Sequence, residues 1–149
     1  MSLQAKVMEQ MKVAMKAKDT VALESLRAIK SALLLESTSG SGKDISEEDE
    51  IRLVQKLVKQ RKDSATIFIE QGRKDLADPE LAQVAVIEQF LPEQLTEEEV
   101  EKVVIQTIDA TGASGMKDMG KVMGIVSKEL AGQADGKLIS TIVKQKLSS

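Results

Sequence analysis

The stretch Leu91-Pro92-Glu93-Gln94-Leu95-Thr96-Glu97-Glu98-Glu99-Val100 decides the architecture of this chain. Proline lacks a backbone N–H and disfavours helix in the residue before it, so one helix ends near Leu91. Thr96 is a good N-cap, and three glutamates fill the turn after it, where the helix dipole favours carboxylates. A new helix therefore begins here. The sequence divides into a helical N-terminal domain, residues 1–92, and a C-terminal helical domain, residues 93–149.

Upstream of the break, apolar residues recur at helical spacing. Residues 2–17 place Val7, Met11, Ala14 and Met15 on one face. The stripe of Met8, Met11 and Met15 reads as core packing. Asp19 caps a second helix running to Glu36, with Ala22, Leu26, Ile29 and Leu33 inward. Ser37 to Lys43 reads as a Ser/Gly loop. Ser46-Glu47-Glu48-Asp49 resembles a capping box opening a long helix, with Ile51, Val54, Leu57, Val58, Ala65 and Phe68 inward. Gly72 ends it. Asp78-Pro79 reads as the start of a fourth helix, with Leu81, Val84, Ile87 and Leu91 inward.

Downstream, Val100, Val103, Val104, Thr107 and Ile108 form an inner stripe. Asp118 is expected to cap a helix burying Met119, Val122, Met123, Val126 and Leu130. Asp135 is expected to cap a last one burying Ile139, Ile142, Val143 and Leu147. Beside the first of these stripes runs a row of small residues, Gly120, Gly124, Ser127 and Ala131. Interior helical glycine costs roughly 1 kcal/mol relative to alanine. Close approach of another backbone is the expected compensation. No strand alternation occurs. The expected fold is all-α and multihelical: about four helices, then a small domain of about three.

Composition narrows the chemistry. Cys and His are both absent, which excludes disulfides, thiolate and imidazole metal sites and His-based catalysis. Phe68 and Phe90 are the only aromatic residues, too few to stack single-stranded bases. Any RNA contact would be to shape and phosphate. No apolar run has the length of a membrane span, and the charged N-terminus lacks a signal peptide's apolar core. A cytoplasmic location is expected, with neither membrane nor DNA as partner. The net charge is -3, but residues 93–115 carry one Lys and six acids, whereas residues 116–149 carry six Lys and three acids. The terminal segment is a basic end on an acidic protein.

Several constellations have a plain structural reading. Gly40-Ser41-Gly42-Lys43 looks like part of a phosphate-binding loop, but the motif's first glycine would fall at Ser37 and Asp44 follows the lysine. It reads as a loop. The acidic runs Glu47–Glu50 and Glu97–Glu99 sit at helix starts and fan out around the axis, so no metal is expected, nor any cofactor. Arg61, Lys62 and Arg73 lie in mixed-charge patches. They read either as a solvated, ion-paired face or as a partner or RNA contact. Arg61 falls on the inward stripe, where pairing with a buried carboxylate is the structural alternative. In the terminal segment, Lys121 and Lys128 share a face and Lys117 lies just before it. Lys137 follows Gly136 in the first turn of the last helix, where a cation is dipole-unfavourable. A bound phosphate would offset this; a side chain bent into solvent would too.

DMGKVMG at Asp118–Gly124 and GQADGK at Gly132–Lys137 resemble the C-terminal signature of the YqeY-like family. This family shares a domain with the tail of the GatB subunit of tRNA-dependent amidotransferase. SLRAIKSAL (Ser25–Leu33), KQRKDS (Lys59–Ser64), GRKDLA (Gly72–Ala77) and FLPEQLTEEEV (Phe90–Val100) extend the likeness over nearly the whole chain. The resemblance implies an all-α protein of tRNA metabolism. It links the chain to carbon-nitrogen ligase activity with glutamine as amido donor, the chemistry itself residing elsewhere. The residues implied for contact with tRNA or a tRNA-processing complex are Lys117, Gly120, Lys121, Gly124, Lys128, Gly136 and Lys137, with Arg61, Lys62 and Arg73 secondary. A protein-docking module without RNA binding is the alternative. A small amidotransferase acting alone is a third reading.

Overall fold

A computed structural model of the chain describes residues 2–39 and 45–148. Among these residues there are seven α-helices and no strand, so the fold is all-α. The chain forms two compact units, residues 1–91 and residues 92–149, each with its own core.

The first unit contains α1 (Leu3–Ala17), α2 (Thr20–Ser39), α3 (Glu47–Glu70) and α4 (Lys74–Glu88). α2 packs against the other three, and α3 lies along α4. Val7, Leu26, Ile29, Val54 and Ile87 are almost solvent-free at the centre. Local chemistry sets most of the helix ends. Ser2 Oγ accepts the Ala5 N–H (3.2 Å), and Glu50 Oε2 accepts the Leu3 N–H (3.0 Å), so α3 helps to cap α1. Asp19 Oδ1 accepts the Ala22 N–H at the start of α2. Ser46 and Asp49 exchange both bonds of a capping box at α3. α3 ends in a Schellman motif: Gly72 has φ +71°, Arg73 N–H reaches Phe68 O (2.7 Å) and Gly72 N–H reaches Ile69 O (3.0 Å).

Four expectations for this unit are corrected. Met15 is 59% exposed and Met8 44% exposed, so the methionine stripe is not core; Leu3, Val7 and Ala14 are buried, with Met11 packed beside them. α2 continues through Ser37 and Thr38, whose hydroxyls donate to Leu34 O and so leave no polar group to break the helix. Gly40 to Lys43 lie outside the described residues. α4 begins at Lys74, not at Asp78, and Pro79 sits inside it. Only one helical hydrogen bond is lost there. Arg73 O already accepts the Leu76 and Ala77 N–H groups, and the first turn buries Ala77 completely. Leu81 is exposed, because the buried face of α4 is Ala77, Val84 and Ile87.

The second unit contains α5 (Glu97–Thr111), a 3₁₀ turn at Met116–Asp118, α6 (Met119–Glu129) and α7 (Gly136–Ser148). The three helices pack on one another around Val100, Val104, Val122, Val126, Ile139, Ile142 and Val143. Thr96 and Glu99 form a full capping box at α5, and Gly112 ends that helix in the left-handed region. Thr107 is buried but donates to Val103 O, so its hydroxyl is satisfied.

Candidate functional site

Asp118 does not cap α6 as expected. A 3₁₀ turn precedes the helix, and Asp118 Oδ2 accepts the Ser114 N–H (2.8 Å), tying the α5–α6 connection backwards. Lys117 stands exposed on this turn, which packs against both α6 and α7. Asp135 does cap forwards: its Oδ1 accepts the Lys137 N–H (3.3 Å) at the start of α7. This carboxylate supplies the negative charge that the helix start favours. The positive charge of Lys137 therefore needs no bound phosphate to explain it.

α6 carries two faces. Val122 and Val126 are buried, with Met119 and Met123 packed beside them. Gly120, Gly124 and Ser127, with Ala131 in the turn after the helix, lie on exposed surface. A Cβ added at Gly120, Gly124 or Gly136 would meet nothing within 4 Å. The row of small residues is therefore not packing within the unit; it is an open strip. Lys121 and Lys128 each follow a strip residue by one position, so both border the same side of it. Lys117, Lys121, Lys128 and Lys137 are all exposed. Among the described residues, none of these four side chains has a hydrogen-bond or ion-pair partner.

The three basic residues singled out in the first unit are held differently. Arg61 Nε donates to Gln83 Oε1 (2.9 Å), and a terminal Arg61 nitrogen donates to Leu57 O (3.1 Å). Gln83 Nε2 continues to the exposed Glu24 Oε2 (3.3 Å), so one network, half-buried at Arg61 and Gln83, joins α3, α4 and α2. The partner of Arg61 is an amide and not a buried carboxylate, the structural alternative for this residue. Lys62 Nζ pairs with Glu88 Oε1 (3.0 Å) across α3 and α4. Arg73 forks onto Asp75, with bonds of 3.0 and 2.9 Å. That guanidinium holds the Asp75 carboxyl below its ordinary 3.8, and Asp75 raises Arg73 in return.

Gln94 does more than mark a boundary, the one role its sequence context suggests. Its amide donates to Pro92 O (2.9 Å) and Gly132 O (2.6 Å), while Leu95 N–H reaches Gln133 O (2.9 Å). These bonds pin the α6–α7 connection to the segment entering α5. Gln94 and Gly132 lie 38 residues apart, and no local pattern announces their contact. Lys146 similarly ties α7 to Glu101 on α5 at 2.6 Å.

Among the described residues, no helix is long and apolar enough to cross a membrane. A glutamyl-tRNA(Gln) amidotransferase subunit of Thermococcus gammatolerans is 38% identical over 104 residues, covering 67% of this chain and 17% of that protein. The chain thus spans about a sixth of the length of that relative. Altered inheritance of mitochondria protein 41, mitochondrial, of Pyrenophora tritici-repentis is 29% identical over 139 residues, covering 91% of this chain and 75% of that protein. The protein of the same name from Lachancea thermotolerans is 32% identical over 87 residues, covering 58% and 46%. Residues 4–147 match the family described as Yqey-like protein, nearly the whole length, and the chain belongs to that family.

Proposed function

We propose that this chain is an accessory protein of tRNA metabolism whose second unit contacts the tRNA backbone. The observation that carries this reading is the strip on α6. Exposed lysines without partners among the described residues border a surface whose small residues leave room for a ribose-phosphate strand. Lys121 and Lys128 would meet phosphates along the strip, and Lys117 and Lys137 would extend the contact. Gly120, Gly124 and Gly136 would allow close approach. The likeness to an amidotransferase named for its tRNA supports the choice of nucleic acid. In this reading amide transfer belongs to other proteins, and the chain serves glutamine-dependent carbon-nitrogen ligation by association.

A mobility-shift titration with tRNA tests it. Binding should weaken steeply with salt, as released counterions require. Reversal of Lys117, Lys121, Lys128 and Lys137 to Glu should abolish it. A flat titration at low salt overturns the proposal. The working compartment in its simplest form is the cytoplasm, although the fungal relatives are named as mitochondrial. Fractionation against compartment markers separates the two.

The open strip also favours a second reading, a surface that receives a helix of a partner protein. Small residues allow helix backbones to approach closely without RNA. Partner capture that survives nuclease treatment and is lost in Gly124→Leu would favour this reading over the first.

A further inference from the structure

The first unit holds a groove that the proposed tRNA contact does not use. It has a volume of about 780 Å³ and runs between α1, α2 and the start of α3. Met11, Leu33 and Ile45, buried or half-buried, form an apolar floor. Arg27, Lys30 and Leu34 stand exposed on the α2 side. Arg27 and Lys30 are three residues apart and so share a helix face. Glu50 lines the same groove, yet it makes no ion pair with either; one of its oxygens accepts the Leu3 N–H. Among the described residues, neither the Arg27 nor the Lys30 side chain has a hydrogen-bond or ion-pair partner. Leu34 is 64% exposed and Leu35 67% exposed, on the same helix.

We infer that this groove docks an acidic amphipathic segment of a partner protein. Apolar side chains of the segment would enter over Met11, Leu33 and Ile45 and cover Leu34. Its carboxylates would pair with Arg27 and Lys30. Charge complementarity selects the sign of the partner, and the apolar floor selects its class. A nucleic-acid strand brings the right charge, but it offers the floor nothing apolar, and no aromatic side chain lines the groove to stack a base.

The test is selection from a random displayed peptide library on the full chain, followed by titration of the enriched peptides. Winners should combine Asp or Glu with leucine-like anchors at helical spacing. The double variant Arg27→Glu/Lys30→Glu should weaken them by about tenfold or more. Leu34→Asp should weaken them as well. Lys121→Glu/Lys128→Glu should leave them unchanged. All of these positions are exposed, so unaltered circular dichroism should accompany each loss; Lys30→Gln, with an intermediate loss, guards against a folding artefact. Basic or neutral winners overturn the inference. So do winners indifferent to the Arg27 and Lys30 reversals. Polyuridylate binding that those reversals remove, without any acidic peptide binding, overturns it in favour of RNA.

Discussion

The basic residues singled out in the α3–α4 hairpin and those singled out around the α6–α7 hairpin are held in opposite ways. In α3–α4, Arg61, Lys62 and Arg73 are bonded to Gln83, Glu88 and Asp75. In α6–α7 and the turn before α6, Lys117, Lys121, Lys128 and Lys137 are exposed and without partners among the described residues. The count of positive charges is therefore a poor guide to a binding surface. What distinguishes these two sets of residues is whether the fold already supplies a partner, charged or neutral. A paired cation must break a bond before it binds a phosphate; an unpaired one only releases water and counterions.

The largest effect expected from this contrast is on binding. Reversing the four unpaired lysines to Glu should lower tRNA affinity by about a hundredfold or more at low salt. It should also flatten a log–log salt slope of roughly −3 that four phosphate contacts would produce. Replacing Arg61, Lys62 and Arg73 with Gln should change affinity little. Equal losses from both sets would erase the distinction between the hairpins.

Next comes stability, where the order reverses. Arg61→Ala removes the bonds to Gln83 and Leu57 O that anchor this network, and should destabilise the first unit by about 0.5–1.5 kcal/mol. Urea denaturation of the variant measures this. A change within error would mean that Arg61 is free to do something else.

Gly124→Ala should stabilise the second unit by about 1 kcal/mol, since alanine is the better helix former and its methyl group meets open space. Gly124→Leu should also fold, with the same helical circular dichroism, while losing whatever binds the strip. A lower melting temperature for Gly124→Ala would show that the strip is packed against something.

The smallest effect is on pH dependence. Hydrogen bonds from Ser46, with Arg52 as a lesser influence, hold Asp49 below its ordinary 3.8. Hydrogen bonds from Thr96, with Lys102 as a lesser influence, hold Glu99 below its ordinary 4.5. Because the folded values are depressed, their stabilising contribution is complete above the ordinary carboxylate values. It is lost as pH falls through the lower folded ones. Melting temperatures should therefore drop below about pH 4. Ser46→Ala and Thr96→Ala should cost about 1 kcal/mol each at neutral pH and make this acid drop shallower.

Much of the architecture was legible because it is written over short distances. The capping boxes at Ser46 and Thr96 lie within three residues of their partners. The inward stripes of α3, α5, α6 and α7 follow from helical period. The start of α4 was not legible, because Asp78-Pro79 has the local pattern of a helix start, and only the packed turn that buries Ala77 shows the helix beginning at Lys74. Nor was the exposure of Met8 and Met15, since a methionine stripe at helical spacing fits a core as well as a surface. Asp118 looked like a cap; the Ser114 N–H claimed its carboxylate instead.

The same division runs through the surfaces. Period and caps made this chain a set of helices, and its motifs gave it a family. They also put lysines and small residues side by side on α6. Whether a given side chain was buried, paired or open required the folded units. Arg61 meets Gln83 across 22 residues, and Gln83 meets Glu24 across 59. A methyl group added at Gly124 would meet nothing within 4 Å. Local backbone chemistry acts within a helical turn, so it can be read along the chain. The partners of a charge are chosen by packing, which brings together residues that the chain itself keeps far apart.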